Sequence, residues 1–319
     1  MLEIKNLVTS FENPRTGELV RACDDVSLKV GPSEFVGLVG ESGCGKSTLG
    51  RTIVGLEKAR SGQIIFNGVD VTKSRHRRET SRKIQYIFQD AYAALNPRQT
   101  VGQMLDEALQ ISGEGNAAAR RARALSLLGE VGLLANVSDR YGRELSGGQR
   151  QRVCIARALV PEPKLLICDE PVASLDVSIR AQIMNLFRRL QDDNGVAFLF
   201  IAHDLAVVRQ AAERVYVMYL GQIVEAGGTS AIYDSPLHPY TQALLGAVPN
   251  PDPRIERKRS KILLSGEVPN PANPPSGCRF RTRCPVAVER CATAPGQVEI
   301  DGRVAACHFA GKVELTPAA

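Results

Sequence analysis

Three stretches of the sequence predict an α/β fold. Phe35-Val36-Gly37-Leu38-Val39 is an apolar run of strand length. Gly40-Glu41-Ser42-Gly43-Cys44-Gly45-Lys46-Ser47-Thr48 is a glycine-rich loop, and Leu49, Ile53, Val54 and Leu56 recur after it with helical spacing. The loop fits the pattern G-x-x-x-x-G-K-[ST], so strand, loop and helix together form a phosphate site of the P-loop type. Its glycines let backbone N–H groups close around phosphate oxygens where a Cβ would intrude. The helix N-terminus adds partial positive charge, Lys46 a full one, and the Ser47 hydroxyl is a Mg²⁺ ligand.

The other elements follow in order. Residues 2–9 and 24–30 alternate apolar and polar as strands do, with the turn-rich Glu12–Glu18 between them. Ile64-Ile65-Phe66 before Asn67-Gly68 reads as a hairpin strand and its turn, and Ile84–Phe88 as another strand. From Val101 the spacing becomes helical, through Leu105, Ala108 and Leu109 and again through Ala124, Leu127, Leu128 and Val131; this predicts a helical insertion at about 92–160. The α/β pattern returns with strand Leu165–Cys168, helix Ser178–Gln191, strand Ala197–Ile201 and helix Leu205–Ala212. Strands Arg214–Tyr219 and Gln222–Glu225 close the unit. Beyond residue 236 the composition shifts, and 248–277, rich in Pro and Asn, reads as an extended linker to a cysteine cluster. The expected domains are 1–235 and a C-terminal extension, 236–319, forming a small Cys-rich lobe.

With 319 residues, 44% of them hydrophobic, the chain can bury one large α/β domain plus an appendage. A net charge of +6 is mild and suits an anionic ligand such as a nucleotide; the basic runs Arg75–Arg78 and Arg254–Lys261 read as solvated surface. The absence of Trp and 5% aromatic content leave few stacking platforms for nucleic acid. No apolar stretch approaches the ~18–20 residues that span a bilayer. Met1-Leu2-Glu3-Ile4-Lys5 lacks the basic start and apolar core of a signal peptide. A cytoplasmic protein is expected, with any membrane role reached through a partner. In a reducing compartment cysteines favour metal or cluster ligation over disulfides. Cys23, Cys44, Cys154 and Cys168 are scattered, whereas Cys278, Cys284, Cys291 and Cys307 cluster.

Two further motifs carry chemistry. Strand Leu165–Cys168 runs into Asp169-Glu170, and in a P-loop fold this strand lies beside the phosphate loop. Asp169 is then placed to hold Mg²⁺, and Glu170 to act as general base on the attacking water. Leu145-Ser146-Gly147-Gly148-Gln149 is a second glycine platform, opening a helix through Val153, Ile155, Ala156 and Leu159.

With LSGGQ between the phosphate loop and the Asp-Glu pair, residues 1 to about 240 resemble the ATPase subunits of ABC transporters. The resemblance implies an ABC-type nucleotide-binding domain with a β-subdomain, and ATP and Mg²⁺ as ligands. It also implies a head-to-tail dimer, in which Gly40–Thr48 of one subunit and Ser146, Gly147, Gly148 and Gln149 of the other enclose ATP. Gln89 matches the glutamine that touches Mg²⁺ and links the site to the membrane domain. Ser174-Leu175-Asp176 matches the segment that bridges the two active sites, and His203 the histidine on the γ-phosphate. Phe11 aligns with the aromatic that stacks on adenine, a core aromatic being the other reading.

Phe88-Gln89-Asp90, Leu95-Asn96-Pro97-Arg98, His238-Pro239-Tyr240-Thr241, Gly277-Cys278-Arg279-Phe280 and Arg283-Cys284-Pro285 are similar to segments of the oligopeptide/dipeptide importer ATPases. That resemblance implies a second ATPase subunit, identical or paralogous, two transmembrane permease subunits and an extracytoplasmic substrate-binding protein. The chain would sit on the cytoplasmic face of the inner membrane. Peptides are the implied cargo, with nickel or another small solute as the alternative. A soluble ABC ATPase acting on nucleic acid or ribosomes is a reading of another class; such proteins typically carry two ATPase units or long coiled-coil insertions, and this chain has neither. The tail cysteines are separated by five, six and fifteen residues, unlike the C-x₂-C spacing of zinc ribbons. Four thiolates can hold a [4Fe–4S] cluster or zinc. The resembled family associates this tail with a [4Fe–4S] cluster, expected here on Cys278, Cys284, Cys291 and Cys307 as a structural staple. Zinc, unmetallated thiols and His308 as a substitute ligand remain open.

Overall fold

The computed structural model describes residues 1–12, 17–72, 80–248, 254, 266–313 and 315. Arg75–Arg78, most of Arg254–Lys261 and much of the 248–277 linker lie outside the described residues. The chain divides into two compact units. One comprises Met1, Val30–Phe35 and Gly68–Phe200; the other comprises Leu2–Lys29, Val36–Asn67 and Ile201–Ala319.

In the first unit the strand order is Ala197–Ala202, Leu165–Asp169, Ile84–Ile87, the last two pairing in parallel from Ile84 opposite Leu165 to Ile87 opposite Cys168. Every residue of Leu165–Asp169 is buried, as expected of a parallel strand covered on both faces. Phe35 stacks on Phe198 at 4.9 Å, and Phe187 packs against the same ring at 5.4 Å. The predicted insertion holds helices Val101–Ile111 and Ala117–Glu130, whose buried residues (Val101, Met104, Leu105, Leu109 and Ala124, Leu127, Leu128) include most of those picked out by periodicity. Thr100 and Gln103 cap the first helix reciprocally, and Asn116 caps the second. Helices Gly147–Leu159 and Val177–Asn194 follow, the latter ended by Gly195 at φ 65°.

The second unit contains an antiparallel sheet in the order Leu19–Val30, Leu2–Glu12, Ser61–Phe66, with Leu2 opposite Phe66 and Lys5 opposite Gln63. The first two strands exceed the predicted 2–9 and 24–30, because ladder pairing continues through polar residues such as Ser10 and Arg21 that hydropathy does not mark. Strand Phe35–Val39 runs parallel to Arg214–Tyr219, Val36 facing Arg214. A Cβ on Gly37 would lie 2.3 Å from Val208 Cγ1, so only glycine lets helix Leu205–Ala211 come this close. Arg214–Tyr219 turns through Leu220-Gly221, both at positive φ, into Gln222–Gly228.

The tail joins this sheet. Arg303–Ala305 pairs with Gln222–Gly228, and Val298–Ile300 pairs with Arg303–Ala305 through an Asp301-Gly302 turn. Helices Thr229–Asp234 and Pro239–Ala247 complete the unit.

Candidate functional site

The glycine loop is in the second unit. Lys46, buried at the start of helix Lys46–Val54, donates from Nζ to the carbonyls of Gly40 (2.8 Å) and Glu41 (2.9 Å), while Ser42 and Gly43 are exposed. Gly45 takes φ 108°, and a Cβ there would lie 2.0 Å from the Ala22 carbonyl oxygen. Cys44 is buried, its Sγ 3.8 Å from Lys46 Nζ, and its carbonyl accepts from the Gly221 N–H at 2.8 Å. Burial pushes the Cys44 thiol up, leaving it a small packed group beside the loop. Ser47 and Thr48 open the helix, and the Thr48 carbonyl accepts from the Thr52 hydroxyl at 2.7 Å.

Glu41 is tied down by residues the sequence reading had not placed near it. Its N–H donates to the Tyr240 hydroxyl at 2.9 Å, and its carboxylate receives both Arg283 terminal nitrogens at 2.6 and 3.0 Å. The carboxylate holds Arg283 charged, raising its already high pKa further. Tyr240 reaches Glu41 because His238 caps its helix: the imidazole Nδ1 accepts from the Tyr240 N–H at 3.0 Å, with Pro239 at the first helical position. The buried Glu225 carboxylate accepts in turn from the N–H groups of Leu237 (2.7 Å) and His238 (2.9 Å). His203, also in this unit, is exposed just beyond strand Ala197–Ala202, and Phe11 is 39% exposed near the end of strand Leu2–Glu12, outside the core.

The first unit brings the acidic pair together with Gln89. Asp169 is buried and its Oδ2 accepts from the Tyr86 hydroxyl at 2.6 Å. Glu170 takes φ 45°, a left-handed conformation that side chains adopt at a cost of about 1 kcal/mol or more, and such strain collects at functional sites. Its Oε2 accepts from Gln89 Nε2 at 3.1 Å. Ser146 caps helix Gly147–Leu159 in a box with Gln149, Oγ accepting from the Gln149 N–H (3.3 Å) and Gln149 Oε1 from the Ser146 N–H (3.0 Å). The box does not use the N–H groups of Gly147 and Gly148, which remain as donors of the first turn. Asp176 caps helix Val177–Asn194, its Oδ1 accepting from the Ile179 N–H at 2.9 Å and the Ser178 hydroxyl at 2.7 Å; these bonds, the backbone one foremost, lower its pKa. A cavity of about 480 Å³, lined by Ala93, Leu95, Met104, Ala108, Ile111 and Arg157 among others, opens a few residues after Gln89.

The iron–sulfur expectation is not met, and the four tail cysteines are corrected from cluster ligands to free thiols. Among the described residues, no three His, Cys, Asp or Glu side chains form a group that could hold a metal ion. All four tail cysteines are free. Cys307 packs against the apolar cluster of Leu237, Ala305 and Ala310, and its sulfur accepts from the Phe309 N–H at 3.4 Å. Burial, the largest cause in each case, pushes the Cys278 and Cys307 thiols up and Cys284 up to about 11. His308 Nε2 lies 3.0 Å from the Thr293 carbonyl.

Among the described residues, no helix is long and apolar enough to cross a membrane. Residues 23–173 match the family model described as ABC transporter, and 224–291 match that of the oligopeptide/dipeptide transporter C-terminal region. An oligopeptide transport ATP-binding protein of Salmonella typhimurium is 49% identical over 305 residues, 92% of this chain and 90% of that protein. A putative peptide import ATP-binding protein of Brucella ovis is 48% identical over 93% of both chains, and a putative oligopeptide transport ATP-binding protein of Bacillus subtilis 46% identical over 97% and 95%. A solved dimeric ATP-binding cassette bound to ADP and phosphate superposes with a TM-score of 0.66 at 29% identity, covering 72% of this chain and 99% of that one. On these matches the chain belongs to the ABC transporter ATPases, in their oligopeptide/dipeptide branch.

Proposed function

We propose that this protein is the ATP-hydrolysing subunit of a membrane importer for di- and oligopeptides. The contact between Gln89 and Glu170 carries the reading. Two residues 81 positions apart, each singled out by its own motif, meet through their side chains beside a strained backbone and a buried metal-type carboxylate. The names of the near-full-length relatives support the cargo class.

In this reading Lys46 exchanges its two carbonyl partners for phosphate oxygens, and the N–H groups of Gly40–Thr48 cradle the phosphates. Ser47, Asp169 and Gln89 offer hydroxyl, carboxylate and carboxamide oxygens, the hard donors that Mg²⁺ prefers. Mg²⁺, when bound, neutralises charge on the phosphate oxygens. Glu170 takes a proton from water as its oxygen bonds to the γ-phosphorus and the bond to ADP breaks, giving ADP and phosphate. His203 contacts the γ-phosphate, and the exposed ring of Phe11 takes adenine. Ser146, Gly147, Gly148 and Gln149 of a second ATPase subunit, with Asp176 beside them, cover the nucleotide; the dimeric cassette bound to ADP and phosphate supports this pairing.

The working division is a nucleotide-binding domain, 1–235, with its helical insertion, and a small C-terminal lobe, 236–319. The subunit works on the cytoplasmic face of the inner membrane with two permease subunits and an extracytoplasmic binding protein.

Replacing Glu170 with Gln tests the chemistry. ATP binding should persist while turnover falls by about 10²–10⁴-fold, the usual worth of a positioned base. With ATP the variant should also accumulate as a dimer in light scattering. Hydrolysis at the wild-type rate would overturn the assignment. ATP-driven uptake of a tripeptide, rather than Ni²⁺, by vesicles carrying the assembled importer tests the cargo.

A further inference from the structure

The geometry points to Arg283 as a positioning residue for ATP binding: the C-terminal tail holds the phosphate loop in shape through Glu41. This rests on the reading of Gly40–Thr48 as the ATP phosphate site. The Arg283 side chain is only 8% exposed and meets the Glu41 carboxylate as a two-pronged fork, at 2.6 and 3.0 Å. A planar guanidinium fixes both the position and the plane of a carboxylate that it grips in this way.

The anchor behind the fork is firm. Phe280, three residues earlier, is fully buried, edge-on to Tyr219 at 5.3 Å and packed on Tyr240 at 5.4 Å. Arg279 donates to the Leu220 carbonyl and the Asp24 carboxylate. Glu41 is also held at its backbone, where its N–H donates to the Tyr240 hydroxyl. Thus the second residue of the loop is pinned at main chain and side chain by residues about 200 to 240 positions away.

The consequence concerns affinity. A phosphate cradle works only while its successive N–H groups face the same way, and Gly43 and Gly45 make this loop intrinsically free to leave that state. Apparent affinity is the intrinsic affinity scaled by the fraction of loops in the receptive shape. Arg283 touches no substrate in this scheme; it raises that fraction through Glu41. Its loss should therefore raise KM for ATP and leave the chemical step alone.

The test uses the full-length chain. Arg283→Ala should raise KM for ATP, and the Kd of a fluorescent ATP analogue, by about 5- to 10-fold, with kcat within about 2-fold of wild type. Arg283→Lys should recover only part of the loss, since an ammonium cannot make the paired contact. Glu41→Gln, which leaves tail and arginine in place, should raise KM in the same direction even if Arg283→Ala fails to fold. In a Glu41→Ala background, Arg283→Ala should add little. An unchanged KM in both Arg283→Ala and Glu41→Gln, a loss in kcat alone, or equal losses in the two backgrounds would each overturn the proposal. Wild-type hydrolysis and its loss in Glu170→Gln test the ATP-site reading separately, so failure of one is distinguishable from failure of the other.

Discussion

Gly43 and Gly45 offer a controlled comparison within one loop. Both sit at positive φ, 78° and 108°, so alanine at either pays a backbone penalty of about 1–2 kcal/mol. Their surroundings differ. A Cβ on Gly43 meets nothing within 4 Å. On Gly45 it would lie 2.0 Å from the Ala22 carbonyl oxygen, in strand Leu19–Val30, and 2.9 Å from Met218 Cε. The methionine tip can swing away, but the carbonyl belongs to a sheet and must be displaced. Such overpacking adds about 1–3 kcal/mol, so Gly45→Ala should lose about 2–5 kcal/mol in all. At roughly 2 °C per kcal/mol for a chain of this size, Tm without nucleotide should fall by about 2–4 °C for Gly43→Ala and by about 2–6 °C more for Gly45→Ala, about 4–10 °C in all. Calorimetry of both variants beside wild type makes the measurement. Melting points within a degree of each other would refute the steric argument.

Two further outcomes are expected. His238 is 1% exposed, and burial pushes its imidazole down to about 4. The unfolded chain, titrating near 6.5, therefore binds a proton that the folded chain refuses, so stability is full above pH 6.5 and declines by about 3 kcal/mol as pH falls toward 4. The neighbouring Glu225, raised by burial, offsets part of this. His238→Asn keeps a capping acceptor without the titration and should flatten the dependence of Tm on pH over that range; an unchanged slope counts against the account. In the first unit, a Cβ on Gly148 would meet Ile179 Cγ2 at 2.5 Å. Gly148→Ala should cost about 1–3 kcal/mol, and adding Ile179→Ala, which removes that methyl, should restore most of the lost Tm. A double variant no more stable than Gly148→Ala would show that the clash is not the cause.

The nucleotide motifs were legible because their logic is local. Strand Phe35–Val39, the loop and helix Lys46–Val54 follow one another within twenty residues, and strand Leu165–Asp169 announces itself as an unbroken apolar run. The pairing of Gln89 with Glu170 needed only the expectation that both motifs serve one reaction. The tail was read less well. His238-Pro239-Tyr240 was recognised as a signature, but its work, a capped helix that delivers a hydroxyl to Glu41, depends on tertiary packing. Arg283 stands in one of the family-like segments, Arg283-Cys284-Pro285, but nothing local gives it a role, because its partner Glu41 is 242 positions away. Spacing along the chain does not show whether four thiols reach ligand geometry: Cys278, Cys307 and Cys291 lie near enough to add to burial in raising Cys284, yet among the described residues no group that could hold a metal ion forms. The strands Val298–Ile300 and Arg303–Ala305 did leave a signal, the Asp301-Gly302 turn, but three residues are too few to establish an alternation.

The Glu41–Arg283 bond spans 242 positions of sequence, and that span has a meaning during synthesis. A ribosome adding about 5–20 residues per second exposes the phosphate loop some 12–50 s before the arginine that braces it. The loop's other supports, the Gly221 N–H and the Tyr240 hydroxyl, also come from the last third of the chain. A polypeptide ended before residue 221 would carry every residue of the phosphate motif and none of these three supports. The order of synthesis thus places the motif first and these braces last.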